Sequence, residues 1–525
     1  MRKFLPFFLL AVTLIRLSDS YGRILFDKKP ESLNGSDKKH NSSQNKEDQN
    51  FDLSYSIEPF YDINVFRFNV ILEFQSEKSG EIQILLPGNT ADWEDKSGVK
   101  FLKALSPGTS ILDTERPEVK TIKYIPGSPV KICYQIEQTH QDEITFDNHY
   151  MPIITKRYFH VFSDMFFVIP IWSLTKEFNI RIAWNHLPSN WNILNSFGVN
   201  QKMQDLNIQL WKFKHAVFAG GDFRIVQKLD GTVPLYFGIR GSWGFTDDQI
   251  CDLSRDIISG ERKFWNEDAS TRLEIILPVE GYEVQIAETR SDAISLFLSP
   301  MRKIDYRLKH SLARDYFQNW IADGIAYAEP QPLVYWFQKG FSNYYARLIL
   351  LRTGLITLDE YVDDFNTVLD RYFTSPMRYE KNERLVKEYW TDPDLQMLPS
   401  LRGDIFAHNL NYDIIRNSQA GKSLDDLMRD LYNRCHTESL IISNGSLSAM
   451  IRYYAGDAAL AHLMRTLNSK VETKVVPGAL GPCFQLEIQA YRRFWILGEY
   501  YEVPIFRYID RNNRTLNCIG WFQIN

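Results

Sequence analysis

The hydrophobic period of this chain changes once, and that change bounds what it can fold into. Phe66, Phe68, Val70, Leu72 and Phe74 fall on alternate residues, as do Phe178, Ile180, Ile182 and Trp184. A period of two places such residues on one face of a strand. Pro87-Gly88, Pro107-Gly108 and Pro126-Gly127 punctuate the runs as turns do. Residues 51–215 are therefore expected to form an N-terminal β-sandwich. From Thr246 the spacing becomes helical. Thr246 and Gln249 match a capping box, and Ile250, Leu253 and Ile257 follow. The chain reads as mainly helical from about 300 to 365, with a loop near Glu329-Pro330, a stop at Gly354 and a second box at Thr357 and Glu360. Residues 371–400 are charged and irregular. Another helical block follows from about 402 to 470, with Ser423 as a cap, and strand-like stretches return at 494–497 and 506–509.

The N-terminus reads as an export signal. Arg2 and Lys3 precede an apolar run, 4–15, and Ser18 and Ser20 are small residues at −3 and −1 of a cleavage site. Residues 1–20 are expected to be a signal peptide, which places the protein in a secreted or periplasmic location. The run is short for a bilayer span, and no later run is long enough, so no membrane span is expected in the mature chain. Residues 28–50 contain almost nothing apolar and cannot build a core, so 21–50 is expected to be a disordered tether. The formal net charge of −5 offers no basic surplus for nucleic acid, and that class of partner is set aside.

The five cysteines, Cys133, Cys251, Cys435, Cys483 and Cys518, contain no CxxC pair, which argues against a thiolate zinc site. Cys483 and Cys518 are close enough in sequence to pair, and five unpaired thiols is the equally open alternative. Asn34, Asn41, Asn444 and Asn513 begin glycosylation sequons, which matter only in a glycosylating host.

Two blocks carry the functional signal. One is Arg314-Asp315-Tyr316-Phe317-Gln318-Asn319-Trp320, the other Trp336-Phe337-Gln338-Lys339-Gly340-Phe341-Ser342-Asn343-Tyr344-Tyr345. They resemble the glycyl aminopeptidase family of gluzincin zinc metallopeptidases, where the blocks read His-Glu-x-Phe-His-x-Trp and Trp-Phe-x-Glu-Gly-Phe-x-x-Tyr-Tyr. Further blocks in the same order, such as Ala219-Gly220-Gly221-Asp222-Phe223-Arg224 and Gly481-Pro482-Cys483, extend the resemblance over about 55–490. It implies a multi-domain α+β fold: the β-sandwich, a thermolysin-like peptidase-type domain at 216–370, a helical domain at 371–476 and a short β-rich tail at 477–525.

The resemblance also says what chemistry belongs here. Two histidines at i and i+4 share a helix face and bind zinc, a Glu beside the first is the general base on zinc-bound water, and a Glu on the next helix is the third ligand. In this chain Arg314 stands at the first ligand, Asp315 at the base, Gln318 at the second ligand and Lys339 at the third; Ser400 stands where the family has an oxyanion-stabilising Tyr. Arg offers no lone pair, a protonated Lys offers none, and an amide is a weak zinc ligand. At an effective dielectric near 20, two unit charges about 4 Å apart interact by roughly 4 kcal/mol, and a dication doubles that.

The chain is therefore expected to be an exported pseudopeptidase, with no zinc or other cofactor and no catalysis. The old cleft would bind a peptide or protein partner, with Arg314 and Lys339 as anion or peptide contacts. Two alternatives stay open: an active aminopeptidase with a displaced metal, for instance at His310, and a structural surface or periplasmic protein whose cleft is closed. Asp315 is expected to pair with Arg314 or Lys339. Trp320, Trp336, Phe337, Phe341, Tyr344 and Tyr345 are expected to be core residues.

Overall fold

The computed structural model describes residues 51–523, apart from 62–65, 76–78, 89–97, 141–143, 146–147, 268–269, 282–284, 291, 323–324, 493–499 and 510–516. The signal segment 1–20, the tether 21–50, the sequons at Asn34, Asn41 and Asn513 and the strand expected at 494–497 lie outside the described residues. The chain groups into two compact units. One comprises Met1–Gln227, Leu235–Gly244 and Thr271–Arg302, the other Lys228–Pro234, Phe245–Ser270 and Lys303–Asn525.

The first unit is built on the alternating sequence. A six-stranded sheet runs in the order Met203–Gln209, Glu177–Trp184, Leu53–Tyr61, Phe66–Gln75, Pro129–Glu137 and Val99–Ala104. A four-stranded sheet, Ile169–Pro170, Glu81–Leu85, Val119–Lys123 and Ser110–Asp113, joins it around one apolar core. Phe68, Val70, Leu72, Phe74, Ile180, Ile182 and Trp184 are all buried in that core, as the period of two requires. A short helix α1, Leu210–Lys214, closes the region. A third sheet carries Tyr158–Phe162 beside Val217–Gly221. The central strands of a fourth, Val233–Ile239, Arg272–Pro278 and Ala293–Leu298, are parallel, and Gln285–Arg290 is antiparallel at its edge.

The second unit is helical. Helix α2, Asp247–Trp265, starts at the Thr246–Gln249 capping box, and both reciprocal hydrogen bonds are present. Helix α3 is Tyr306–Ala322, α4 is Tyr335–Arg352 and α5 is Leu358–Phe373. Gly354 follows α4 at φ +74, the left-handed geometry that ends helices, and the Thr357–Glu360 box opens α5. A short α6, Leu385–Glu388, precedes α7, Pro393–Asn417; α8 is Leu424–Thr437, opened by Ser423 and Asp426, and α9 is Asn444–Asn468.

The irregular stretch expected up to 400 ends early, because α7 already begins at Pro393. Asp392 caps it through its carboxylate, and Pro393 occupies the first turn, where its missing N–H is no loss. Helices α4 and α7 cross at two glycines. A Cβ on Gly403 would lie 1.8 Å from the Trp336 carbonyl oxygen, and one on Gly340 would lie 2.3 Å from the Gly403 Cα. The place of Gly340 within its aromatic block thus has a packing cause.

The tail is a hairpin, Phe484–Arg492 with Tyr500–Tyr508, and Cys483 is disulfide-bonded to Cys518. Of the two readings open for these cysteines, the structure takes the pair; Cys133, Cys251 and Cys435 carry thiols. Asn444 is not a free surface amide: its Oδ1 accepts from the Trp336 indole at 2.9 Å and its Nδ2 donates to the Leu333 carbonyl. Glycosylation there would compete with the Leu333 contact, which uses the same nitrogen. Among the described residues no helix is long and apolar enough to cross a membrane.

Candidate functional site

Helices α3, α4 and α7 bring together the residues singled out in the sequence, all within the second unit. The aromatic residues of the two blocks hold these helices in place. Trp320, Trp336, Phe337, Phe341, Tyr344 and Tyr345 are buried, and Phe317 stacks on Tyr345 with ring centroids 4.8 Å apart. They are core residues, as expected.

Arg314 turns its guanidinium onto the next residue. Its Nη2 donates to Asp315 Oδ1 at 2.8 Å and its Nε to the same oxygen at 3.1 Å. The Asp315 side chain is 1% exposed and that of Arg314 is 17% exposed. Of the two partners open to Asp315, the structure takes Arg314. Successive helical residues do not ordinarily face each other, and only a side chain as long as arginine folds back this way. Gln318, one turn on, is half-buried.

Lys339 goes elsewhere. Its Nζ donates to the Tyr389 hydroxyl and lies 4.8 Å from the ring centroids of both Tyr335 and Tyr389. The two rings meet edge to face, 4.8 Å apart, so the amine sits in an aromatic cage. Burial pushes its pKa from 10.5 down to about 7, and the nearby Arg314 charge adds to the fall. Near neutral pH Lys339 is therefore only partly charged, and of the two basic residues expected to oppose a metal Arg314 is the fixed cation.

Ser400, on α7, accepts from Asn343 Nδ2 at 2.6 Å, which ties it to α4 one turn beyond Lys339. His310 points its Nε2 at the Asn343 carbonyl, 3.4 Å away, and stacks on Tyr306; burial lowers its pKa to about 4, so the ring is neutral. The next turn of α4 carries Arg347, which bonds Asp404 on α7 through two nitrogens at 3.1 and 2.9 Å and Asp364 on α5 at 2.8 Å. The His408 ring closes this network against Tyr361 and the Asp404 carbonyl.

Tyr389 and Asn343 escaped the sequence reading. Tyr335 precedes Lys339 by four residues, a spacing that already puts both on one helix face. Tyr389 is 50 residues from Lys339 in a stretch with no periodicity, and only folding reveals it.

The residues do not fit a zinc ion. A zinc site takes at least three protein ligands, and Arg314 supplies none, its guanidinium being bonded to Asp315. The Lys339 amine is engaged by Tyr389, and Gln318 is left as a single weak donor. Among the described residues no group of three His, Cys, Asp or Glu side chains could hold a metal.

Residues 326–392 match the family model of the M61 glycyl aminopeptidases. Over that segment the chain is similar to the glycyl aminopeptidases. The matched segment begins after α3 and ends beyond Tyr389, so it contains Lys339 and its whole cage. The fold agrees. An aminopeptidase N family protein from Idiomarina loihiensis superposes with a TM-score of 0.68 at 14% identity, over 83% of this chain and 79% of that one. A mutant of a two-domain M1 zinc metallopeptidase, bound to L-tryptophan, superposes with a TM-score of 0.50 at 12% identity, over 81% of this chain and 96% of that one. Both show a shared multi-domain α+β fold. No curated protein matches the chain.

The cage makes a pH prediction. The folded pKa of Lys339 lies below its unfolded value, so between pH 7 and 10.5 the unfolded state binds the extra proton. Stability from this group therefore rises with pH across that window, and below it the fold carries the full cost of a buried ammonium. Lys339→Met is expected to stabilise the protein near neutral pH, with the gain shrinking towards pH 10. Urea unfolding of both proteins across that range checks this, and a gain that grows with pH contradicts the assignment.

Proposed function

We propose that this chain is an exported, non-catalytic homologue of the glycyl aminopeptidases that binds a peptide or protein partner through the face formed by α3 and α4. One observation carries the loss of catalysis: the place of the first zinc ligand and the general base is filled by the Arg314–Asp315 ion pair, while the third-ligand position, Lys339, is held in a tyrosine cage. A general base without a metal has no activated water to use. Retention of the buried aromatic frame around altered chemical positions supports a folded protein with a kept use. The L-tryptophan held by the M1 structure supports an amino-acid or peptide end as the kind of ligand this fold accepts.

The deciding measurement is the metal content of protein expressed in zinc-supplemented medium, alongside release of N-terminal Gly or Ala. Far less than one zinc per chain and no turnover are expected. Stoichiometric zinc with chelator-sensitive turnover would overturn the reading in favour of a displaced-metal enzyme. The triple variant Arg314→His, Gln318→His, Lys339→Glu restores the family's ligand types and serves as the positive control for zinc uptake. A peptide array separates a binding face from a closed one. Binding that drops on Arg314→Ala supports the first, and no binding by the wild type supports a structural protein.

A further inference from the structure

A crevice of about 560 Å³ opens in the first unit, lined by Thr155, Lys156, Arg157, Tyr158, Arg240 and Glu280 among others. Its walls are strand ends. Arg240 is the first residue after the parallel strand Val233–Ile239, and Glu280 lies two residues past its neighbour Arg272–Pro278. Thr155 to Arg157 form the turn that leads into the strand Tyr158–Phe162. Space outside the carboxyl ends of parallel strands is where sheets of this kind hold ligands.

The charges there are placed but under-used. Asp222, within the Ala219–Arg224 block of the sequence, accepts from Arg240 Nε at 2.6 Å and from Arg157 Nη2 at 2.8 Å. Each carboxylate oxygen thus serves one guanidinium. Each guanidinium carries five N–H donors, and among the described residues neither Arg157 nor Arg240 has a second acceptor. Arg240 is also fixed in position: its side chain is 16% exposed and lies over the Tyr158 ring, 3.7 Å from the centroid. The other nitrogens of both guanidiniums are not among the buried unpartnered atoms, so they are open to an acceptor that enters the crevice. With Lys156 the crevice has three cations against the carboxylates of Asp222 and Glu280, a surplus of one positive charge.

We infer that this crevice is a binding site for a small, singly charged carboxylate, held by the remaining donors of Arg157 and Arg240 with Lys156 beside them. Paired guanidiniums match a planar carboxylate through parallel hydrogen bonds. Glu280 on the wall opposes ligands of higher negative charge. All the lining residues belong to the first unit, so the assignment stands apart from the helical site.

Isothermal titration of the full chain at low ionic strength, with acetate, inorganic phosphate and chloride as separate titrants, tests it. Acetate is expected to bind saturably, with a dissociation constant of about 1 mM or tighter. Arg157→Gln is expected to weaken that binding about tenfold, the worth of one charge-assisted contact. The Arg157 side chain is 75% exposed, so the variant should fold, and circular dichroism is the check on that. Arg240→Lys, which keeps the charge but loses the planar fork, is expected to weaken acetate binding as well. No saturable heat with acetate, equal heat with chloride, or affinity unchanged in Arg157→Gln each overturns the site. Tighter binding of phosphate than of acetate overturns the ligand class.

Discussion

Gly403→Ala is expected to destabilise the protein by about 3 kcal/mol or more, the upper range for overpacking, or to abolish soluble expression. In an ordinary helix the same change stabilises by up to about 1 kcal/mol, so the sign itself is diagnostic. Here the added methyl would sit 1.8 Å from the Trp336 carbonyl oxygen and 2.9 Å from the Gly340 Cα. Both are backbone atoms of α4, and neither can swing away as a side chain would. Relief requires α4 and α7 to separate, which opens the layer that holds Trp336 and Phe406 in contact. Gly340→Ala meets the Gly403 backbone from the other side and should behave alike. Gly445 is the control: a methyl there meets nothing nearer than the Ser443 hydroxyl at 3.5 Å, and Gly445→Ala should be neutral or stabilising. Denaturant midpoints of the three variants against wild type provide the check.

Arg347→Met should cost a further class of energy, about 3–5 kcal/mol, because it strands charge rather than creating a clash. The Arg347 and Asp404 side chains are fully buried, and without the guanidinium Asp404 keeps a carboxylate in an apolar interior. Asp364 is partly exposed and can recover water. The double variant Arg347→Met with Asp404→Leu removes both charges and should regain much of the loss. A double variant as unstable as the single one would show that shape, not charge, sets the cost.

The pH dependence has a definite sign. Burial alone would raise the Asp404 pKa, but Arg347 and His408 outweigh it and hold the carboxyl at about 2, below its usual 3.8. Stability from Asp404 is therefore complete above about pH 4 and is lost as pH falls towards 2. The deficit of Arg347→Met should start to narrow above about pH 4, because without Arg347 burial raises the Asp404 pKa and the stranded carboxylate takes up a proton earlier; the wild type's own loss below that pH narrows it further.

How much of this was readable beforehand depends on the range over which each residue acts. Helix starts were legible because Thr246 with Gln249, Thr357 with Glu360 and Ser423 with Asp426 carry their own local hydrogen bonds. The sandwich strands were legible because a one-sided core imposes alternation. The start of α7 was not. Pro393 and Pro399 look like breakers, yet the first sits in the opening turn and the second is tolerated inside a buried helix. In the site, family spacing singled out Arg314, Asp315, Gln318 and Lys339, which lie on α3 and α4, and the Arg314–Asp315 pairing was among the expected outcomes. The cage around Lys339 was illegible, because Tyr389 reaches it only through the tertiary fold, and with it the fall in the lysine's basicity.

The Cys483–Cys518 bond encloses the hairpin, and beyond it the Phe522 carbonyl accepts from Arg352 at 2.7 Å while the Phe522 ring packs on Tyr361. A protease that cuts anywhere between the two cysteines would therefore release nothing. Both fragments stay joined by sulfur, and Phe522 remains docked. On a gel without reductant such nicked protein would migrate as one band, and the break would become visible only after thiol treatment.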